Sequence, residues 1–225
     1  MRTALAILVL ALSLPAWGQD LPANAKLYLP RLIGEIDLHW PMLPLRSALG
    51  AQVEQETCIS LTSKRCWSPT TELKTDREYG FGLGQLTVTS KFNAFDEVKA
   101  LDPSLRSWKW EDRYNPDLQL RALVLKDRYN FERFKLASTP YDQLVFAVVS
   151  YNGGVGGTLN DIKLCARTEG CDSGRWFGHV ERTSLKSRTK WKGYGQSAFD
   201  INRGYARDIF GPRRPKYIKP MGDAK

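Results

Sequence analysis

Thr139-Pro140-Tyr141-Asp142-Gln143-Leu144-Val145-Phe146-Ala147-Val148-Val149-Ser150-Tyr151-Asn152-Gly153-Gly154 is a helix with both of its ends written into it. Threonine before proline, with an acid in the first turn, supplies a side chain that accepts from unbonded N–H groups and a ring already at helical φ. The acid suits the positive end of the helix dipole. The interior is almost wholly apolar, so this helix is expected to be buried. Gly153 and Gly154 end it, and Tyr151 stands where the buried chain meets the turn.

The same grammar recurs at Asn115-Pro116-Asp117, followed by a core-facing stripe of Leu118, Ala122, Leu125 and Tyr129. Apolar residues also recur at helical intervals from Ala23 to Leu38, until Pro41 and Pro44 break the pattern. A second helix is predicted from about Leu45 to Thr57, and Ile201, Tyr205 and Ile209 predict a last one before Gly211-Pro212. No alternating run is long enough for a main sheet. The expectation is a mainly α fold, with any strands short and confined to the stretch from Cys58 to Gly80.

The chain opens with Met1-Arg2, an apolar run from Ala4 to Leu14, and Pro15-Ala16-Trp17-Gly18. A charged start, an apolar run too short to span a bilayer and a small-x-small ending describe a cleaved export signal over residues 1–18. About 200 residues then remain, the size of one domain, expected over residues 19–210. The 225-residue sequence holds 33 Lys and Arg against 24 Asp and Glu; loss of Arg2 leaves 32 against 24. A surface of that sign favours anionic polymers, among them cell-wall glycan. Residues 211–225 gather Arg213, Arg214, Lys216, Lys219 and Lys225 and read as a solvated basic tail. No nucleic-acid-binding motif organises the basic residues.

Four cysteines, Cys58, Cys66, Cys165 and Cys171, form an even set in a chain expected to be exported. Of the three connectivities they allow, the local pairs Cys58–Cys66 and Cys165–Cys171 are the simplest. Each would contribute about 2 to 2.5 kcal/mol in the chain-entropy account. Zinc fits poorly, since neither spacing is that of a structural site and only His39 and His179 could assist. These features predict a periplasmic or secreted protein, monomeric, without metal or organic cofactor and without a membrane span after signal removal.

On a helical wheel Leu45, Leu49, Val53 and Glu56 share one sector, and Glu54 points to nearly the opposite side. Glu56 is therefore expected to be the buried-side carboxylate, with the raised pKa that a proton donor at neutral pH needs. Glycosidic cleavage requires such an acid. The bland alternative is a boundary carboxylate paired with Lys or Arg. In Gly80-Phe81-Gly82-Leu83-Gly84-Gln85-Leu86 the alternating glycines let backbone approach a ligand or another segment, while Phe81 and Leu83 anchor it. Gln85 is a candidate for bonding a sugar amide or hydroxyl, with capping as its plain role. No Lys-Ser or Lys-Thr follows Gly84, which disfavours a phosphate loop. Tyr151 is a candidate to bring its hydroxyl near the reacting carboxyl group. Trp67, Trp108, Trp110, Trp176 and Trp191 are candidates for stacking on sugar rings, although most Trp side chains are simply packed. There is no Gly-x-Ser-x-Gly elbow and no His-Glu-x-x-His helix.

Taken in order, Gln55-Glu56-Thr57, Tyr79-Gly80-Phe81-Gly82-Leu83-Gly84-Gln85-Leu86 and Ser150-Tyr151-Asn152-Gly153-Gly154 resemble the soluble lytic transglycosylase and goose-type lysozyme superfamily. That family carries a Glu-Ser, a Gly-Leu-Met-Gln and an Ala-Tyr-Asn-Ala/Gly-Gly segment. Asn202-Arg203-Gly204-Tyr205 looks like its later tyrosine segment. The resemblance implies a lysozyme-like fold with a cleft, Glu56 as catalytic acid and base, and Gln85, Tyr151, Asn152 and Tyr205 along the substrate. It also implies peptidoglycan as substrate, cut between N-acetylmuramic acid and N-acetylglucosamine with a 1,6-anhydro product. Thr57 stands for the family's Ser, and Gly84 for its Met. Asp76-Arg77-Glu78-Tyr79-Gly80-Phe81-Gly82-Leu83 also resembles the goose-type segment whose Asp positions a hydrolytic water, so a muramidase using Asp76 is the first alternative. The second is a noncatalytic glycan-binding or assembly module of an envelope complex.

Overall fold

A computed structural model describes residues 21–192 and 195–223; the export-signal reading of residues 1–18 lies outside the described residues. In chain order the elements are α1 (Ala25–His39), α2 (Arg46–Thr57), β1 (Glu72–Lys74), β2 (Tyr79–Phe81), β3 (Leu86–Val88), α3 (Ala94–Leu101), α4 (Pro116–Phe131), α5 (Pro140–Gly153), α6 (Val155–Cys165), α7 (Ala198–Asp208) and α8 (Pro215–Met221). The fold is mainly α with one small antiparallel sheet in the order β1-β2-β3. The sheet pairs Glu72 with Phe81 and Phe81 in turn with Leu86. Only β1 lies wholly within the stretch where strands are expected. The glycine-rich segment itself supplies β2, and β3 follows it.

The capping signals act as written. Asn115 accepts from the N–H groups of Asp117 at 3.0 Å and Leu118 at 3.3 Å, and the Thr139 hydroxyl accepts from Asp142 at 3.0 Å. Gly154 takes φ +75° and closes α5, a conformation that favours glycine. The next helix, α6, starts at once beyond it. Asn93 caps α3 through Phe95 and Asp96, and Ser197 forms a reciprocal capping box with Asp200 at the start of α7.

Helix α4 lies at the centre, against α1 on one side and α5 on another. It is buried at Leu120, Ala122, Leu123, Val124, Leu125, Asp127 and Asn130, whereas Tyr129 is exposed. The expected stripe through Tyr129 is thus corrected: a helix covered on several sides has no single apolar face to read. One apolar cluster joins α1, α2, α4, α5 and α8 through residues such as Ile36, Leu49, Leu123, Val148 and Tyr217. A second lies between the sheet and α3, around Phe81, Phe95 and Trp108. A third gathers Phe146, Cys165, Trp176 and Ala206.

As far as residue 223 the basic tail is not a solvated end; Lys225 lies outside the described residues. After α7 the chain makes a π turn over Ile209–Arg213 and continues as α8, burying Tyr217 and Met221 against α2. A methyl group added at Gly50 of α2 would lie 2.8 Å from the Met221 sulfur and 2.9 Å from the Tyr217 ring, so this glycine lets the two helices meet. The Asp223 carboxylate then accepts from the N–H of Arg46 at 2.8 Å and of Ser47 at 3.1 Å, capping α2 from the far end of the chain. Both local disulfides, Cys58–Cys66 and Cys165–Cys171, are formed. No helix among the described residues is long and apolar enough to cross a membrane.

Candidate active site

A cleft of about 770 Å³ opens between the end of α2, the sheet, the α5–α6 turn and α7. Glu56, Gln85, Tyr151, Asn152 and Tyr205 all line it, so the fold brings together segments more than a hundred residues apart. Asp76 is not in its wall. It stands exposed at the β1–β2 turn, where the Thr75 hydroxyl accepts from the N–H groups of Arg77 and Glu78 at 3.2 Å. Glu78, two residues on, does face the cleft.

Helix α2 places Glu56 by being buried from Ser47 through Glu54, which holds its last turn rigidly beside the cleft. The expectation for Glu54 is corrected here. Its side chain is fully buried and accepts from Arg213 at 2.9 Å, Lys216 at 2.8 Å and Tyr217 at 2.6 Å, while Trp67 donates to the Tyr217 hydroxyl at 2.9 Å. A helical wheel places Glu54 away from the α1–α4 side correctly in angle; it misses α8, which covers that angle. Glu56 is half-buried on the opposite side, with one edge on the cleft.

Desolvation raises the Glu56 carboxyl to about pH 7, against the opposing effects of a hydrogen bond from Tyr205 and the positive charge of Lys126. The Tyr205 hydroxyl donates to Glu56 Oε1 at 2.5 Å. Tyr205 thus makes the direct hydrogen bond to the carboxyl group, and Tyr151, the tyrosine suggested by sequence, lies close enough to feel its charge. Tyr151 instead donates to the Gly84 carbonyl at 2.6 Å, and a methyl group added at Gly84 would lie 2.5 Å from its hydroxyl. The absence of a side chain at residue 84 therefore opens no hole in the cleft floor, because Tyr151 fills it.

The glycine-rich segment is braced from below. Gly82 has φ +79° and would, with a Cβ, sit 2.5 Å from the Gln119 amide. The buried Gln119 accepts from Leu83 N–H at 2.9 Å and donates to Pro69 at 2.9 Å and Arg113 at 2.7 Å. Gln85, at φ +43°, folds its amide back to donate to the carbonyls of Thr71 at 3.0 Å and Gly82 at 2.9 Å. Its amide nitrogen is thereby committed to the loop and caps no helix, while the residue itself lines the cleft. The Thr57 hydroxyl is likewise structural: it donates to Val53 at 2.6 Å and accepts from Trp67 N–H at 2.9 Å, tying the disulfide loop to α2.

Asn152 reaches the site through Asn202, whose amide donates to it at 3.1 Å and to the Val149 carbonyl at 3.2 Å. A Cβ at Gly153 would lie 2.5 Å from the same amide. Next to it, the buried Arg203 pairs with Asp161 at 2.8 Å and donates to the carbonyls of Glu181 at 3.0 Å and Thr183 at 2.6 Å. Arg203 thus fixes the turn of α7 that presents Asn202 and Tyr205. Neither Gln119 nor Arg203 is singled out by sequence; a lone polar residue inside a helix carries no signal until its burial is known. Among the tryptophans, Trp67, Trp108 and Trp176 are buried and unavailable to a sugar, and Trp110 is ringed by Tyr79, Phe81 and Phe95. Trp191 lines the cleft, with the Arg77 guanidinium 4.5 Å from its ring centre.

No protein-family model matches this chain, and no curated protein matches it significantly.

Proposed function

We propose that this protein is a peptidoglycan lytic transglycosylase of lysozyme-like fold, working in the periplasm or outside the cell without metal or organic cofactor. One observation carries the reading: a carboxyl group raised to about pH 7 sits on the wall of a large cleft, held by a tyrosine hydroxyl. At neutral pH such a group is protonated about half the time, which suits an acid that must later act as base. Two disulfides and a basic surface fit an exported protein with an anionic polymer as substrate.

In this reading Glu56 donates its proton to the bridging oxygen as the bond from C1 of N-acetylmuramic acid breaks, and the sugar's own N-acetyl oxygen bonds C1. The 6-hydroxyl of the same sugar then attacks C1 and displaces that oxygen. Its proton goes to the Glu56 carboxylate, leaving a 1,6-anhydro ring and the acid restored. Tyr205 holds the carboxyl group in place and supports its ionised form between the two steps. A second carboxylate is not needed. Asp76 at an exposed turn suits the hydrolytic alternative less well than a wall position would.

Mass spectrometry of fragments released from purified peptidoglycan, with Glu56→Gln beside the wild type, tests this. The expected result is anhydro-ended muropeptides that fall by at least about a hundredfold in the variant. Reducing ends would assign a muramidase, and release of nothing by the wild type would assign a binding module.

A further inference from the structure

Beside the cleft lies a second cavity of about 520 Å³, between α3, α4 and the start of α6. It is a side branch of the cleft, sharing Phe92, Lys126, Tyr151 and Asn152 with it. Two cations face it, Lys126 and Arg133, against one acid, Glu97. Lys126 is pinned at their junction. Its ammonium lies 5.4 Å from the Phe92 ring centre and 5.3 Å from that of Tyr151, and pairs with Glu97 at 3.0 Å.

Arg133 is held differently. Its guanidinium stacks 4.2 Å from the Tyr129 ring centre and donates to that hydroxyl, and among the described residues no carboxylate pairs with it. A guanidinium ordered by an aromatic ring and lacking an acid is preorganised for a carboxylate. Gly154 and Gly156 form the opposite wall, where an added Cβ would meet nothing within 4 Å, so the backbone there is open.

The peptide is a substituent of the same muramic acid whose C1 bond is cut, so it lies beside the reacting centre, and it is rich in free carboxylates. We propose that this side cavity binds the anionic stem peptide of the substrate, with carboxylates on Lys126 and Arg133. The proposal rests on the glycan reading of the cleft. It assigns peptide recognition to Arg133, which the catalytic step does not use, and to Lys126, whose charge also acts on Glu56.

Arg133 is exposed and outside the cleft wall, so Arg133→Glu should fold normally. Cleavage rates are compared on peptide-bearing strands and on strands stripped of peptide by an amidase. On peptide-bearing strands the variant should raise KM about tenfold with kcat unchanged, the size of a lost charge-assisted bond. On stripped strands its KM should match the wild type. Equal loss on both substrates would make the cavity a glycan subsite, and no change on either would remove Arg133 from binding; both overturn the proposal. If the wild type cuts neither strand, the catalytic reading fails separately. Binding of the free stem peptide, followed by calorimetry with wild type and Arg133→Glu, then decides: a Kd unaffected by the variant, or no binding, overturns the proposal.

Discussion

Glu56 owes its acidity to burial and two neighbours, which pull in opposite directions. Burial raises it, while the Tyr205 hydroxyl and Lys126 lower it, and the balance falls at about pH 7. Since the Tyr205 bond favours the ionised carboxyl, Tyr205→Phe should raise the pKa further. In the proposed first step Glu56 must be protonated, so activity falls as pH rises through its pKa. The alkaline limb of the kcat/KM profile in Tyr205→Phe should therefore move to higher pH, even as the rate drops; an acidward shift would show that the phenol does not act on Glu56. Asp127 lies in the same region, fully buried on α4, and desolvation holds its carboxyl well above the ordinary range. Of the residues singled out in the sequence, Glu56 and Tyr205 meet directly, whereas the Gln85 amide serves the loop. That commitment was not legible, because a glutamine reads the same whether its amide nitrogen is free or bonded to a carbonyl three residues away.

Among the elements, the glycine-rich loop and α5 are locked by one contact. Tyr151 of α5 fills the space that a side chain at residue 84 would occupy and bonds the carbonyl there. Gly84→Ala should cost about 1–3 kcal/mol by overpacking, and Tyr151→Phe about 1 kcal/mol for the lost bond. Because both act on the same contact, the double variant should cost less than the sum by about 0.5 kcal/mol or more, measured by urea denaturation. Strict additivity would mean that the loop shifts independently of α5. The helices with polar caps or long apolar runs were legible as elements, since those signals are local. Helix α6 was not: it begins without a side-chain cap directly after the glycine that ends α5, so a stop signal there also marks a start.

For the molecule as a whole, two glutamates two residues apart have opposite duties. Glu54 neutralises the buried Lys216 of α8 and the partly exposed Arg213 before it, so Glu54→Ala leaves a buried cation unpaired and should cost about 3–5 kcal/mol. Glu56→Gln should behave in the reverse way. Its folded pKa of about 7 exceeds the unfolded 4.5, so its contribution is intact below pH 4.5 and is lost as pH rises to about 7. The glutamine variant escapes that loss and should be more stable than wild type at pH 8 by about 3 kcal/mol, with little difference at pH 4. Denaturant titrations of both variants at the two pH values check this; a destabilised Glu56→Gln at pH 8 would contradict the desolvated carboxyl.

From the residues alone came a mainly α chain and its capped helices, which rest on interactions between residues close in the chain, with the local disulfides as the simplest of three pairings and the cleft segments as what the family resemblance implied. Tertiary packing alone shows that the basic segment forms a packed helix whose end caps α2, that Glu54 is as buried as any core residue, and that it is Tyr205 that hydrogen-bonds Glu56. Each of these depends on partners 149 to 177 residues away. Burial and pairing at that range are set by which surfaces the fold presses together, and no local periodicity records them.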